Sequence, residues 1–593
     1  MMIPQSVLAW MLAAVLLLLA APVSRQALSA ALRPTPFMTL CLAGALILTL
    51  PLLYAPQTWR YLAELRVAGL WGGLLLMVAT RALFTTPSLR RTVLVLMLAG
   101  CVLEALTGII QALHPQSLPF WLTTPGTGRA TGVFRQPNVM ASLTGTGVIL
   151  AWCLLNQTAC RAAQVAMLAA TAVLAFCLPL TQSTQTWLTL ALAAALVCLP
   201  LFRTPGRVRL MRLWLCVLVA GVLAGLLAWH GQHGDLVDHT YGRYGRLQMW
   251  QNCLWLIAHR PWSGWGYGRF DVAYVHAWQA SGNIPKIDLA YTTHPHNEVL
   301  YWLTEGGMVA GAGLLLILAA GISLVRRSLQ ARRDPRTQAA GMQALSTALC
   351  TLPVLMHTQL EWPLYLSAWH YLMVVMLLAM ADGALQQAKA LPAAGDNART
   401  TDHAAATHRR IPALPARAVL LCAGTLTLWW MVTGMMVGLQ LTQAALPGGL
   451  TPSRLQALEA ARTHNPWVLK EEVWRTEAVA QANRAYRTGD LSQLIPVIGF
   501  EEQYLLRHPD PDITANLIKH LRLTGQTDRA RKVMAQGHAL APWDVRFSDD
   551  ATLPEGAQPQ STPQQDHEHE QSEQNEQHAA PRDPQTQTVR NAS

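Results

Sequence analysis

Two histidines one residue apart, His294 and His296, stand in the stretch YTTHPHNEVLYWLTEGGMVAG, immediately before a long apolar run. An ionisable group at the edge of a membrane segment is costly and is kept for a reason. Imidazole titrates near neutral pH, so a water-facing histidine can take the proton of an attacking hydroxyl. A lone interfacial histidine is more often simply satisfied by backbone or water, and a zinc site needs three or four ligands. No companion cluster of cysteine or histidine adjoins the pair, so no metal is expected. Catalysis gains on the bland reading only through the company the pair keeps.

That company begins with arginines in two loops on the same expected side: Arg129, Arg135, Arg243, Arg246 and Arg269. Guanidinium matches phosphate oxygens bidentately and never loses its charge. A lipid headgroup accounts for any one of them as well; five together fit a diphosphate-bearing lipid better. Gln136 and Asn138 flank Pro137 at the start of a span, where free N–H groups and the positive dipole end lie. Ordinary capping and a carboxamide pair in a sugar or phosphate site are equal readings there. His357 and Glu361, four apart on one helix face, either satisfy each other or line the same cavity. Glu104 is buried in an apolar run with no role to assign, and Gly307 and Gly311 form a small-xxx-small face for helix packing. Asp510–Asp512 reads as a turn and the DHEHE of the tail as a solvated run.

The elements that must position these residues are membrane helices. Of 593 residues, 52% are hydrophobic and 13% charged, against about 25% charged in soluble proteins. Twelve apolar runs are long enough to span: 3–22, 36–55, 61–83, 92–113, 137–156, 162–180, 185–202, 210–229, 298–325, 340–358, 362–383 and 416–445. The first has no basic residue ahead of it, unlike a cleaved leader. Arg90, Arg91, Arg161 and the clusters at 203–212, 326–336 and 409–410 occupy alternate loops. Putting those loops in the cytoplasm leaves the N-terminus, 114–136, 230–297 and everything after 445 outside. The net charge of +11 reflects that bias, so nucleic acid is not an expected partner. Ten cysteines, none beyond residue 445, imply no disulfide framework.

An all-α polytopic membrane protein therefore occupies 1–385. Within its long loop, 230–297, the stripe Leu247, Trp250, Leu254, Trp255 and Ile257 predicts an amphipathic helix on the membrane surface, followed by a turn at Gly264, Gly266 and Gly268. Residues 386–415 read as a cytoplasmic linker before the last span, 416–445. Residues 450–546 turn soluble and helical; Gly489 and Gly525 lie 36 residues apart, close to the roughly 34 of a tetratricopeptide repeat. The tail, 547–593, is expected to be disordered.

With these stretches in hand, the chain resembles the bacterial O-linked protein glycosylation ligases, the O-oligosaccharyltransferases of the pilin-glycosylating type, within the O-antigen ligase and polymerase superfamily. Four blocks in family order carry the likeness: RQPN at 135–138, Arg246 and Trp250 with the following HRPWSGWGYG, HPHNEVLYWLTEGGMVAG at 294–311, and HTQLEWPL at 357–364. The extra last span and exterior helical domain resemble the protein-glycosylating branch. Two departures stand out: Ser183-Thr184 replaces the family's Ser-Arg, and family members carry one more N-terminal span.

The resemblance implies a periplasmic active site on the bacterial inner membrane and a glycan carried on undecaprenyl diphosphate. His296, followed by Asn297, would activate a serine or threonine hydroxyl of an exported acceptor protein, with inversion at the anomeric carbon. Arg246 takes the family's loop arginine, and Arg269 resembles one in the O-antigen ligases. Arg135, Arg243, Gln136 and Asn138 join Arg246 and Arg269 as donor-site candidates, with His294, Asn297, His357 and Glu361 in support. No cofactor is implied. An O-antigen ligase or polymerase acting on lipid A-core or glycan chains uses the same chemistry. A polytopic transporter is the rival of another class, although the internal repeat common in transporters is missing.

Overall fold

The computed structural model describes residues 4–119, 122–123, 128–198, 207–237, 239–285, 289–390, 413–444, 451–465 and 467–548. All regular secondary structure among them is helical. The first half holds α1 (Pro4–Ala20), α2 (Arg25–Leu32), α3 (Pro36–Thr49), α4 (Pro51–Tyr54), α5 (Gln57–Leu83), α6 (Pro87–Leu113), α7 (Pro137–Gln157), α8 (Arg161–Leu180), α9 (Thr184–Cys198) and α10 (Val208–His233). Next come α11 (Thr240–His259), α12 (Phe270–Ser281), α13 (Glu298–Arg333), α14 (Gln338–Leu349), α15 (Leu352–His357), α16 (Pro363–Leu366) and α17 (Ala368–Ala390). After α18 (Ala413–Ala444) follow α19 (Pro452–His464), α20 (Lys470–Thr488), α21 (Leu494–Leu505), α22 (Pro511–Leu523) and α23 (Thr527–Leu540).

Ten helical stretches among the described residues are long and apolar enough to cross a membrane, and they fall on ten of the twelve expected runs. The other two runs, 3–22 and 185–202, are α1 with 17 residues and α9 with 15. Both adjoin residues outside the described ones, 1–3 and 199–206, so the lengths are those of the described part of each run. The expected linker is helical at both ends, since α17 runs to Ala390 and α18 begins at Ala413; 391–412 lie outside the described residues. Most of the expected tail does too, but Phe547 belongs to the folded part and is buried.

Three of the spans, α3, α6 and α7, start where a side-chain acceptor meets a proline. Thr35 accepts from Met38 N ahead of Pro36, and Thr86 from Leu89 N ahead of Pro87. Both caps satisfy an amide the helix leaves open, while proline needs none. At the centre lies α7, almost wholly buried, packed by α6, α8, α9, α14 and α15. Its small residues allow this: a Cβ at Gly145 would meet Thr189 at 2.5 Å, and one at Gly147 Cys101 at 2.8 Å.

The small-residue face of α13 works differently from the expectation. Gly307 breaks the helix, with φ 58° and ψ −153°, a region open essentially to glycine alone. Into the break fits the glycine-rich turn: Met308 N donates to Pro261 O (2.7 Å), Trp265 N to Thr304 O (2.9 Å) and Gly266 N to Glu305 O (2.9 Å). The close helix crossing is made instead by Gly44 of α3 and Gly313 of α13.

The helix expected after residue 243 is α11, and its expected apolar stripe lies along the less buried side. Met249, Cys253 and Leu256 are buried, the first two against Phe270, Tyr274 and Trp278 of α12, whereas Leu247 (51% exposed) and Leu254 (57%) face outward. Beyond α18, α20–α21 and α22–α23 form two hairpins, and the first helix of each is followed by a left-handed glycine, Gly489 or Gly525. These helices dock on the long loop. Tyr291 Oη donates to Leu540 O (2.7 Å), Gln279 Nε2 to Ala539 O (2.8 Å), and Trp543 packs beside Trp278 and Tyr291. His508 bridges Asp271 (2.9 Å) and Glu471 (3.1 Å), and Glu471 also takes the Tyr61 hydroxyl.

Candidate active site

Glu361 is where distant segments converge. The chain leaves α15 in tight turns, with Glu361 N bonded to His357 O at 2.9 Å, so both side chains point the same way. Glu361 Oε2 accepts from His357 Nε2 (3.0 Å) and Gln136 Nε2 (3.2 Å); Oε1 accepts from Arg246 Nη2 (3.1 Å) and Asn138 Nδ2. His357 Nδ1 meets Ser142 Oγ at 2.9 Å, and Ser183 Oγ donates to Asn138 Oδ1 at 2.5 Å. Gln136 holds two roles at once, because its Oε1 caps α7 by accepting from Asn138 N and Val139 N. The capping reading of the RQPN stretch thus holds for Gln136, whose other amide atom reaches Glu361.

The loop 128–136 is set in place from α6. Gln111 Oε1 accepts from Thr131 N (3.0 Å) and Gly132 N (2.7 Å), and Glu104 Oε2 from Val133 N (3.2 Å). That gives the unassigned Glu104 a local task. Arg129 is buried and donates to Thr181 O (3.0 Å) and Gln182 O (3.2 Å), tying this loop to the turn before α9.

His296 sits on the turn into α13 with φ 50°, a left-handed conformation that costs a non-glycine residue about 1–3 kcal/mol. The neighbouring bonds over-determine it. Trp250 Nε1 donates to Pro295 O (3.0 Å), Glu298 N to Thr358 O (2.8 Å), and Asn297 Nδ2 to Gln359 O (3.1 Å). Asn297 Oδ1 caps α13 through Leu300 N. His296 Nδ1 is buried and has no hydrogen-bond partner among the described residues.

Electrostatics joins these pieces. Burial, then the charge of Arg246, pulls His296 down to about 3, so its ring is neutral and proton-accepting at neutral pH. Burial pushes Glu361 up, but the His357 hydrogen bond and the charges of His357 and Arg246 outweigh it and hold the carboxyl well below its usual range. His239, which sequence reasoning passed over, donates Nε2–H to Gln182 O (2.7 Å). Burial lowers it, then Arg129, with Arg246 and Arg243 adding to the effect. Those three guanidiniums therefore share one neighbourhood.

Not every candidate joins them. Arg135 is exposed, in a left-handed turn (φ 56°) just before Gln136. Arg269 lies over the Trp59 ring at 4.7 Å, near Arg260, sharing none of the Glu361 contacts. Sequence reasoning also missed Arg66 and Glu305, a buried pair at 2.5 Å with the guanidinium boxed by Tyr267, Tyr301 and Trp302. The signal was present: both are charges inside apolar runs, as Glu104 is. Among the described residues no group of three or more histidine, cysteine or carboxylate side chains is placed to hold a metal ion.

Three family models match successive parts of the chain: Protein glycosylation ligase over 130–155, O-Antigen ligase over 169–318, and Virulence factor membrane-bound polymerase, C-terminal, over 345–552. The first contains Gln136, Asn138 and Ser142, the second Arg246 and both histidines, the third His357, Glu361 and the exterior helices. No curated protein matches the chain. Successive parts of the chain are thus similar to the O-antigen ligases and polymerases and to the protein glycosylation ligases.

Proposed function

We propose that the protein transfers a glycan from undecaprenyl diphosphate to serine or threonine hydroxyls of exported proteins such as pilin, at the periplasmic face of the bacterial inner membrane. The observation that carries this reading is the buried, unpartnered ring nitrogen Nδ1 of His296, in the field of the Arg246 guanidinium. The His296 ring takes the acceptor hydroxyl proton as the oxygen attacks the anomeric carbon from the face opposite the diphosphate. The bond to the diphosphate breaks with inversion, and Arg246, with Arg243 nearby, meets the charge growing on the leaving group. Gln136 and Asn138 offer carboxamides beside that path, while Glu361 and His357 hold Arg246 and Asn138 in place. Arg135 and Arg269 stand at the periphery of this arrangement. No cofactor or metal enters the step. The exterior hairpins, tetratricopeptide-like in spacing, suit a protein acceptor.

The test is reconstitution with an undecaprenyl-diphosphate-linked glycan and two acceptors, a pilin and a lipid A-core. Mass gain on the pilin is expected, lost in His296→Ala with folding unchanged. Full transfer by that variant would remove the base, and transfer to lipid A-core alone would reassign the protein to the O-antigen ligases.

A further inference from the structure

His296 holds a strained backbone, and the group that grips it is the other histidine. His296 N–H donates to His294 Nδ1 at 3.0 Å, so that nitrogen carries no proton and the neutral ring keeps its hydrogen on Nε2. Nε2 stands 3.4 Å from Glu298 Oε2, an ion-pair separation rather than a hydrogen bond, and neither atom has a hydrogen-bond partner among the described residues. Glu298 is fixed in turn, because Oε1 accepts from Trp302 Nε1 and the Tyr365 hydroxyl, both at 2.6 Å. The His294 ring is 2% exposed and stacks on Trp362, with centroids 5.2 Å apart and planes at 17°. Such a ring cannot rotate to offer its other nitrogen. A second-layer carboxylate that selects a histidine tautomer is a recognised way to orient a working group.

Resting on the reading of His296 as the base, we propose that His294 is a positioning residue: Glu298 selects its Nε2–H tautomer, and the bare Nδ1 holds the His296 amide and so aims the His296 ring at the acceptor. His294 itself touches no reacting atom. The Pro295 between the two histidines contributes its carbonyl to Trp250 and has no N–H of its own, which leaves the His296 amide as the donor available to this grip.

Asparagine and glutamine separate this role from mere packing. In His294→Asn the side-chain oxygen can stand near the site of Nδ1 and accept from His296 N–H. In His294→Gln the amide reaches toward Glu298 and leaves the His296 amide without an acceptor. Glu298→Gln presents an NH2 group to Nε2, which favours the opposite tautomer and puts a hydrogen on Nδ1. In proteoliposomes holding an undecaprenyl-diphosphate-linked glycan and a pilin acceptor, His294→Asn should keep kcat within about threefold of wild type. His294→Gln and Glu298→Gln should lose about 10- to 100-fold in kcat, the scale of an ångström misplacement, with the donor KM unchanged. Equal kcat in the Asn and Gln variants, or losses confined to KM, would overturn the inference. His296→Ala run alongside keeps the two readings apart: its retained activity sinks the base, whereas its inactivity with Asn and Gln alike sinks only the positioning role. Melting temperatures of all variants in detergent serve as the folding control.

Discussion

At the residue scale, the proposed base, His296, and a neighbouring cation oppose each other. Arg246 lowers the proton affinity of His296, and Arg246 is itself held by Glu361 at 3.1 Å. In the proposed reaction a bound diphosphate would bring negative charge to the same place, offset Arg246 and raise the His296 pKa above about 3. The acid limb of kcat is therefore expected at higher pH than that of kcat/KM, because kcat reports the donor-bound state. Coincident limbs in a pH series on reconstituted protein would count against this coupling. In Arg246→Ala the gap between the limbs should change and the donor KM should rise. Much at this scale was legible from types and spacing: His296, Arg246, Gln136, Asn138, His357 and Glu361 were all candidates, and the last five share one hydrogen-bond network. Ser142 was not, since a serine in an apolar run carries no sign of a partner 215 residues away. Nor was His239, whose relevance comes from a carbonyl 57 residues earlier in the chain.

At the scale of elements, the geometry of the site depends on backbone packing at α13. A Cβ on Gly307 would lie 2.5 Å from Trp262 O and 2.6 Å from Gly264 N, at a φ of 58°. Backbone atoms cannot swing aside as a side chain can. Gly307→Ala should destabilise by about 2–4 kcal/mol, combining backbone strain with overpacking. It is expected to melt several degrees lower in detergent, whereas Gly321→Ala, with open space around its site, should not. Hydropathy located α13 because its length and apolar content are plain. It could not reveal the break, because a helix-packing glycine and a helix-breaking one look alike without the turn that fills the gap. α11 shows the same limit from the other side. Its helical spacing was readable, but both faces carry large apolar residues, and only the position of α12 decides which is buried.

For the whole molecule, the helices α20–α23 and the long loop are held together partly by charge. Two carboxylates raise His508 to about 9 despite burial, and burial of Glu471 is outweighed by His508 and Tyr61, which hold it down at about 2. A raised histidine contributes fully below its unfolded value of about 6.5 and loses that contribution as pH rises through about 9. The depressed glutamate contributes above about 4.5 and loses it as pH falls toward 2. Docking should thus be tightest between these windows. Hydrogen exchange at 270–281 is expected to quicken above pH 9, and His508→Ala should show the fast rate at neutral pH. Exchange independent of both would show that apolar packing at Trp543 suffices. Composition gave the expectation of a membrane part and a soluble part. Their attachment was not legible there, because Tyr61, Asp271, Glu471 and His508 are spread over more than 400 residues.

The gap in α13 also divides the molecule mechanically. Backbone bonds lace Thr304 and Glu305 on one side of the break, and Met308 and Val309 on the other, to 261–266, so the turn grips both sides of Gly307. When bilayer thickness changes, the shaft beyond residue 309 is expected to tilt and to leave the histidine turn undisturbed. Spin labels at Val299 and Ile322, both exposed, would register this: across short- and long-chain lipids the second should reorient and the first stay still, and matched movement of the two would mean the pivot is rigid.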